Sequence, residues 1–378
     1  MDKKKIADSI LNLADSLESG VTKDNIKIAV TNFGSELGVE NINEGIKKAK
    51  SPLFDIVVVG EPLEGFESYD ACGDDEVARI LEDLFSKNII QGAVTMHYPF
   101  PIGVSTVGKI ITPASGREVY LATTTGTANT KREKAMILNA INGIIAAKAE
   151  GIKNPTVGIL NIEGARVVEK KLKELVKNGF EINFATSKRS DGGSIMRGND
   201  LVAGTPDVMV CDSLTGNVLI KTFSSFTSGG FFETTGYGYG PSIGEGYERA
   251  VFIISRASGT PLIKNAIDFA YKSVKGNLVE ISKEIYEKAK KAKLKEILES
   301  LDEKGKSETK ENIEIPKKEV VTESISGIDI LEIENAVEVL WSEGIYAESA
   351  MGCTGPMVMI SSENLEKSKK ILEEKEYI

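Results

Sequence analysis

A serine and an arginine that directly follow a short apolar run are the residues best suited to bind a phosphate. The run covers residues 251–254, and Ser255 and Arg256 come next. A hydroxyl can donate to a phosphate oxygen, and the planar guanidinium fork matches two such oxygens at once. Residues after the carboxyl end of a buried parallel strand lie where α/β proteins bind ligands. The alternative is a solvated arginine on a surface loop, and the residues alone leave both interpretations open.

The segment before this pair, residues 212–250, is rich in glycine, serine and threonine. Apolar runs at 208–211 and 251–254 flank it and are typical of strands buried in a parallel sheet. Glycines let backbone N–H groups approach an anion closely, so the amides of a glycine-rich loop could stabilise an oxyanion. The predicted phosphate contacts in this segment are Asn217, Lys221, Gly240 and Gly244. For Lys221 the alternative is an ordinary surface lysine that does not contact phosphate.

The tail of the chain holds a second candidate, Cys353. It lies in Met351-Gly352-Cys353-Thr354-Gly355-Pro356, between runs at 346–350 and 357–360 that are predicted to be short strands. Flanking glycines leave a turn thiol accessible, and a cysteine can carry an acyl group as a thioester. The alternative is a buried turn cysteine without a catalytic role. The absence of an adjacent histidine or other base weakens the case for a functional thiol. Cys211 is predicted to pack inside a strand, and Cys72, followed by three carboxylates, is predicted to take no part.

Composition sets the class of protein. With 378 residues, of which 41% are hydrophobic and 27% charged, the chain can form two lobes with large cores. Its net charge of -10 argues against nucleic acid or an anionic membrane as a partner. No stretch approaches the roughly 20 apolar residues of a membrane span, so a cytoplasmic protein is expected. The three cysteines show no metal-ligand spacing, so neither a metal nor a bound cofactor is expected.

The order of predicted elements divides the chain into three parts. Short buried strands alternate with amphipathic helices, which predicts an α/β body over residues 1–300. Residues 123–130, rich in threonine, are predicted to form a loop before a helix. Residues 301–325 are almost all charged or polar and are predicted to be a linker. Residues 326–378 are predicted to form a small α/β module that carries Cys353.

Several of these stretches resemble known families. Asp207-Val208-Met209-Val210 and the stretch from Thr215 to Lys221 resemble the phosphate acyltransferases of phospholipid synthesis. Gly240-Pro241, Gly244 and Ile254-Ser255-Arg256 resemble phosphate acetyltransferases. These resemblances imply a two-lobed, three-layer body of the phosphate acetyltransferase/isopropylmalate dehydrogenase-like group. They also imply transfer of an acyl group to or from phosphate.

Two departures from these families bear on the substrate. Where the phospholipid-synthesis enzymes have an acidic, glycine-rich motif after the first strand, this chain has Thr31-Asn32-Phe33-Gly34-Ser35. Where phosphate acetyltransferases carry an aspartate thought to deprotonate coenzyme A, this chain has Leu262. An acetyl group presented on Cys353 would need no base for free coenzyme A.

The whole arrangement, an acyltransferase-like body followed by a charged linker and a Gly-Cys-Thr-Gly-Pro module, is similar to the component C alpha subunits of glycine/sarcosine/betaine reductase complexes. That resemblance implies that Cys353 carries an acetyl thioester. Phosphate, the substrate held by Ser255 and Arg256, would cleave it to acetyl phosphate. The implied partners are a ketoacyl synthase-like beta subunit, further copies of the chain, and a selenoprotein, protein A, that delivers a carboxymethyl selenoether. Two alternatives are an acyl carrier protein:phosphate acyltransferase of phospholipid synthesis and a non-catalytic scaffold subunit of the same complex.

Overall fold

The computed structural model describes residues 24–189, 192–303, 315–328, 332–352, 355–375 and 377–378. These residues form a large α/β body and a small α/β module. The strands of the body are β1 (Lys27–Thr31), β2 (Asp55–Gly60), β3 (Glu67–Asp70), β4 (Gly92–Thr95), β5 (Val104–Ile111), β6 (Glu118–Thr127), β7 (Thr156–Leu160), β8 (Asn183–Phe184), β9 (Ile195–Met196), β10 (Val208–Val210), β11 (Gly240–Gly244) and β12 (Val251–Ile253). Its helices are α1 (Val39–Ala49), α2 (Asp74–Ser86), α3 (Arg132–Ala149), α4 (Ala165–Lys177), α5 (Gly198–Val202), α6 (Ser213–Ser225), α7 (Thr260–Lys275), α8 (Leu278–Lys291) and α9 (Leu294–Glu303).

The body strands share one sheet with the order β3-β2-β1-β4-β12-β11-β5-β6-β10-β7-β8, and β9 also pairs with β7. Strands β3, β2, β1, β4 and β12 are parallel to one another. Strands β6, β10, β7, β8 and β9 form a second parallel set. Three antiparallel pairings through β11 and β5 join the two sets, so the sets run in opposite directions.

This reversal separates the carboxyl ends of the two strands that flank the glycine-rich segment. The strands predicted at 208–211 and 251–254 are confirmed as β10 and β12, and both are almost wholly buried. Because they run in opposite directions, Ser255 lies at one edge of the sheet and Asp212 at the other. Helix α6 starts after Asp212, whose carboxylate accepts a hydrogen bond from the Thr215 N–H. It therefore returns across the sheet towards the edge of Ser255.

Helices cover both faces of the sheet, as the three-layer fold predicts. On one face a single core extends across both parallel sets and includes more than half of the residues of α3. On the opposite face α2 packs on β1 and β2 around Leu81, and α6 contributes Ile220 to a separate core with Met209. The two lobes of the body, one built on each parallel set of strands, therefore share a core on one face of the sheet and have separate cores on the other face.

The C-terminal module has its own sheet and core. Three antiparallel strands, β13 (Glu323–Ser326), β14 (Ala347–Gly352) and β15 (Gly355–Ile360), take the order β13-β15-β14. Helices α10 (Ile333–Ser342) and α11 (Leu365–Glu374) supply Val337, Leu340 and Leu372 to that core. Strands β14 and β15 are paired along their length, and the pairing ends with Gly352 opposite Gly355. The predicted position of Cys353 lies outside the described residues.

The predicted linker is shortened at both ends. Helix α9 continues to Glu303, and its Asp302 carboxylate pairs with Lys131 and Lys134 at 2.9 and 2.6 Å. Strand β13 already begins at Glu323. The segment between body and module is therefore residues 304–322, and its role as a linker stays a prediction.

None of the helices in the described ranges combines the length and apolar character of a membrane-spanning segment. Within the same ranges, no three side chains of His, Cys, Asp or Glu are placed to hold a metal ion.

Candidate functional site

The candidate site lies at the edge of the sheet where the first parallel set ends. Strands β1, β2, β4 and β12 run in the same direction, so Ser255 and Arg256 leave the sheet beside the loops that follow the other three strands. The backbone carbonyl of Arg256 accepts a hydrogen bond from the Glu36 N–H at 2.8 Å, which ties it to the loop after β1. The predicted placement of Ser255 and Arg256 after the carboxyl end of a parallel strand is confirmed.

Arg256 is exposed, but its guanidinium is already paired. Its Nη2 lies 2.9 Å from the Asp74 carboxylate at the start of α2, and both side chains remain substantially exposed. Gly34 also lies near the guanidinium: it has a φ of +89°, and a Cβ added there would lie 3.9 Å from the Arg256 Cζ. An anion would thus meet a guanidinium held in place by a carboxylate. Because an exposed ion pair is worth only about 0–1 kcal/mol, Asp74 is a weak competitor.

Ser255 connects this exposed arginine with the interior. Its hydroxyl oxygen accepts a hydrogen bond from the Ala257 N–H at 3.1 Å. Tyr239, whose hydroxyl is buried, lies near Ser255. Burial, the negative charge of Glu233 and the hydrogen bond to that carboxylate together raise the pKa of Tyr239, whereas Ser255 lowers it. Tyr239 therefore stays protonated at neutral pH.

Behind Tyr239 lies a buried glutamate. The Tyr239 hydroxyl donates to Glu233 Oε1 at 2.8 Å, and Glu233 is only 3% exposed. Among the described residues, Glu233 Oε2 and the Ser258 hydroxyl have no hydrogen-bond partner although both are buried. Lys221 Nζ lies 3.7 Å from Glu233 Oε1 and 5.5 Å from the centre of the Tyr239 ring. A cation thus partly compensates the buried carboxylate.

Backbone hydrogen bonds fix this arrangement. The Glu233 N–H donates to the Ala257 carbonyl at 2.9 Å, and the Gly259 N–H donates to the Glu233 carbonyl at 2.7 Å. The Tyr239 N–H donates to the Ile253 carbonyl at 2.8 Å. Glu233 and Tyr239 are therefore both locked to the end of β12 and the turn that carries Ser255.

The structure places the other predicted contacts differently. Lys221, predicted to contact phosphate, lies on α6 and pairs with Glu233. Asn217, one turn earlier on α6, donates its amide to the Thr124 carbonyl at 3.0 Å, so its observed contact is with the backbone of β6. Residues 123–127, predicted to be a loop, are the end of β6.

The prediction of an open glycine-rich loop is wrong for Gly240 and Gly244. They begin and end β11, a strand buried along its whole length between β12 and β5. Gly240 has a φ of +79°, and a Cβ there would lie 1.7 Å from the Val107 carbonyl oxygen. Close packing of strands therefore accounts for this glycine. A phosphate contact by Gly240 or Gly244 stays a prediction to which the structure adds no support.

The two cysteines that the structure describes differ in access. Cys211 is fully buried, and burial followed by the charge of Asp212 raises its thiol pKa to about 12. Cys72 is exposed, and its backbone N–H donates to the Glu76 carboxylate at 2.9 Å. Cys72 is two residues from Asp74, the partner of Arg256, so its thiol is a competitor that a test of acyl transfer must distinguish. Cys353 lies outside the part of the chain that the structure describes.

Sequence reasoning missed Glu233, Tyr239 and Asp74. Nothing in the local pattern marks Glu233, a single carboxylate in Phe231-Phe232-Glu233-Thr234-Thr235. Asp74 was visible only as one of three acidic residues at a helix start. Leu262, at the position of the expected aspartate, is fully buried on α7, so it leaves no base there.

Comparisons with known proteins agree with this architecture. A family model described as "fatty acid synthesis protein" matches residues 26–359. The chain is also 49% identical over 376 residues to the glycine/sarcosine/betaine reductase complex component C subunit alpha of Peptoclostridium acidaminophilum, and the match covers 98% of each chain. The chain belongs to this component C alpha family. The resemblance that the sequence indicated is thereby confirmed.

Two further likenesses of this component C alpha family member are more distant. A phosphate acyltransferase of Aquifex aeolicus is 45% identical over 75 residues, which cover 20% of this chain and 21% of that protein. A branched-chain phosphotransacylase from Enterococcus faecalis V583 is 16% identical, with a TM-score of 0.48 over 66% of this chain and 99% of the other. A structural likeness at this level assigns no activity.

Proposed function

We propose that this chain transfers an acetyl group from a thioester to inorganic phosphate as the alpha subunit of component C in a glycine/sarcosine/betaine reductase complex. The observation that carries the proposal is the placement of Ser255 beside Arg256 at the carboxyl edge of a parallel set of strands. Family membership supports it, because the Peptoclostridium relative carries that name. The finer elements, namely acetyl as the acyl group and Cys353 as its carrier, are part of the proposal.

The proposed step is a phosphorolysis. Monohydrogen phosphate attacks the carbonyl carbon of the thioester, a C–O bond forms, and the C–S bond breaks with its electron pair on sulfur. The phosphate proton is lost and the thiolate gains one, so the products are acetyl phosphate and the free thiol. Arg256 would hold the phosphate with its charge and stabilise charge developing during the attack.

The module would supply the acyl group. In the sequence, Cys353 lies between Gly352, the last residue of β14, and Gly355, the first residue of β15. In this proposal a ketoacyl synthase-like beta subunit and the selenoprotein A act before the thioester forms. Self-association of the chain is also proposed.

The test uses the full chain and radiolabelled acetyl phosphate. We expect the reverse reaction to place a hydroxylamine-labile acetyl group on the peptide that contains Cys353. The Cys353→Ser chain should take up no label, and the matched Cys72→Ser chain should take up as much as the unmodified protein. Label that maps to Cys72 would refute the carrier assignment.

Two further measurements separate the alternatives. The short match to a phosphate acyltransferase favours a long-chain acyltransferase as the second candidate. That candidate predicts phosphate-dependent release from palmitoyl-acyl carrier protein by a chain ending at Glu303. A scaffold subunit predicts that Cys353→Ser and Arg256→Ala both leave the activity of the complex unchanged.

A further inference from the structure

The chain has a single histidine, His97, which lies two residues after the end of strand β4. Its mostly apolar neighbours in the sequence predict a packing residue, but the structure leaves His97 exposed. Neither nitrogen of its ring has a hydrogen-bond partner among the described residues. Imidazole is the side chain that most often takes and gives protons at neutral pH. An exposed imidazole with both nitrogens unengaged can therefore transfer a proton to or from a ligand that it faces.

The topology of the sheet places His97 beside Ser255. Strand β4 lies between β1 and β12, and all three strands are parallel. Thr95 ends β4 opposite Ile253, which ends β12, and the Ile254 N–H donates to the Thr95 carbonyl at 3.0 Å. His97 and Ser255 each follow two residues after this matched pair. Because neighbouring strands are about 4.8 Å apart, the two residues leave the sheet at adjacent positions.

Arg256 reaches across the end of β4. It follows β12 on one side of β4, yet its carbonyl accepts from the Glu36 N–H, which lies in the loop after β1 on the other side. Gly34 of the same loop lies near the Arg256 guanidinium. Arg256 thus spans from β12 to the loop after β1, and β4 ends between them. A phosphate held by Arg256 would therefore lie at the end of β4, where His97 leaves the sheet.

The Thr95 hydroxyl fixes the backbone that carries His97. This hydroxyl donates to the His97 carbonyl at 3.0 Å and accepts from the His97 N–H at 3.4 Å. It also accepts from the Thr31 hydroxyl at the end of β1, at 3.0 Å. The main chain of His97 is therefore held in place while its ring nitrogens stay available to a ligand.

The two carboxylates described at this site are already engaged. Asp74 pairs with the Arg256 guanidinium at 2.9 Å. Glu233 is only 3% exposed, and its Oε1 accepts from the Tyr239 hydroxyl at 2.8 Å. Of these two carboxylates and the His97 imidazole, only the imidazole is both exposed and unpaired.

We propose that His97 is the catalytic base of the phosphorolysis, an inference that rests on the proposed function. Monohydrogen phosphate, bound by Arg256, passes its proton to a ring nitrogen of His97 as a phosphate oxygen forms the C–O bond to the acetyl carbon. The C–S bond breaks with its electron pair on sulfur, and the imidazolium gives the same proton to the thiolate. His97 returns to its neutral form, and the products are acetyl phosphate and the free thiol.

The first test uses the single imidazole of the chain. NMR spectra of the untagged full chain, prepared with isotopically labelled histidine, are recorded during a titration with inorganic phosphate at constant pH and ionic strength. We expect the ring signals of His97 to shift and saturate, because bound phosphate contacts the ring. In the Arg256→Ala chain the same shift should need roughly 10- to 100-fold more phosphate. Ring signals that phosphate does not move in the unmodified chain would refute the contact.

The second test measures single-turnover release of acetyl over a range of phosphate concentrations. Each chain is first loaded to the same extent by prolonged incubation with labelled acetyl phosphate. His97→Gln keeps a polar side chain that cannot take the proton, so we expect its maximal rate to fall about 100-fold, within the range for general base catalysis. The phosphate concentration at half-maximal rate should change less than about 5-fold, because Arg256 still binds the ligand.

Rescue by free imidazole separates a base from a structural residue. His97→Ala removes the ring, and added imidazole should raise the maximal rate of this chain in proportion to its concentration, after subtraction of the release measured without phosphate. The matched control is Tyr98→Phe, which removes the hydroxyl that the next residue donates to Glu82 on α2. That variant should keep the normal maximal rate and show no response to imidazole.

The outcomes separate the two proposals. If the unmodified chain releases no acetyl to phosphate, the proposed function and this inference both fail. If the unmodified chain is active and a His97→Gln chain that is folded by circular dichroism keeps its maximal rate, only the assignment of His97 is refuted. A slow, folded His97→Ala chain that imidazole does not restore would also refute it, because the loss would then be structural.

Discussion

Arg256→Ala should raise the phosphate concentration needed for half-maximal acetyl release steeply while the protein stays folded. A hydrogen bond between charged groups contributes about 1.5–3 kcal/mol, which corresponds to roughly a 10- to 100-fold change in an equilibrium constant. The free energy of unfolding should fall little, because the Arg256 and Asp74 side chains of the lost ion pair are 48% and 38% exposed. Arg256→Lys keeps the charge but loses the planar fork, so its phosphate requirement should lie between those of Arg256→Ala and the unmodified protein.

Removing the carboxylate partner of Arg256 should change the phosphate requirement in the opposite direction. Phosphate must compete with Asp74 for the guanidinium, so Asp74→Asn should lower the phosphate requirement. An exposed pair is worth about 0.2–1 kcal/mol, which predicts roughly a 1.5- to 5-fold tighter apparent binding. Asp75→Asn is the matched control, because Asp75 lies in the same first turn of α2 and forms no ion pair with Arg256 in the described structure.

The assay for both changes is single-turnover release of labelled acetyl against phosphate concentration, with circular dichroism to verify folding. An unchanged phosphate requirement in a folded Arg256→Ala chain would remove this residue from the site. A weaker apparent affinity in Asp74→Asn, matched by Asp75→Asn, would show that the carboxylate acts through α2 and does not compete with phosphate.

Two further predictions concern access and chain organisation. Cys211 has a thiol pKa of about 12, so almost no thiolate is present at pH 8, and the thiol should resist alkylation by iodoacetamide in the folded protein. In denaturant the thiol should become exposed and react. Rapid alkylation of Cys211 in the native protein, measured by peptide mass, would contradict its burial. Limited proteolysis should cut first within residues 304–322 and leave a body and a module that resist further digestion; first cuts within residues 226–239 would contradict this.

The strands and the position of Ser255 could be predicted because buried parallel strands leave a local signal. Runs of apolar, β-branched residues at 208–211 and 251–254 correspond to β10 and β12 to within one residue. The direction of those strands could not be predicted, because it depends on three antiparallel pairings with β11 and β5. Neither central strand has a continuous apolar run: β11 reads GPSIG, and β5 reads VSTVGKII.

Glycine was the main source of error. Gly240 was interpreted as an open loop residue because glycine is common in anion-binding loops. In the structure, a glycine is required at position 240 because the Val107 carbonyl leaves no room for a Cβ. Glu233 could not be found at all: its burial depends on contacts with Tyr239 and the turn at 257–259, which only the folded chain brings together.

The core that the two lobes share on one face limits how the body can move. Helix α3 packs against β6 and β10 of the second parallel set and against α7, which covers β1 and β4 of the first set, so separating the two sets on that face would expose apolar surface along α3. On the other face the cores around α2 and α6 are two separate clusters, and Ile253 of β12 packs against the one around α6. Any hinge in the body therefore has α3 on its closed side. Because Glu233 is bonded to the turn that carries Ser255, the 3.7 Å separation between Lys221 Nζ on α6 and Glu233 Oε1 is a distance that such a hinge would change.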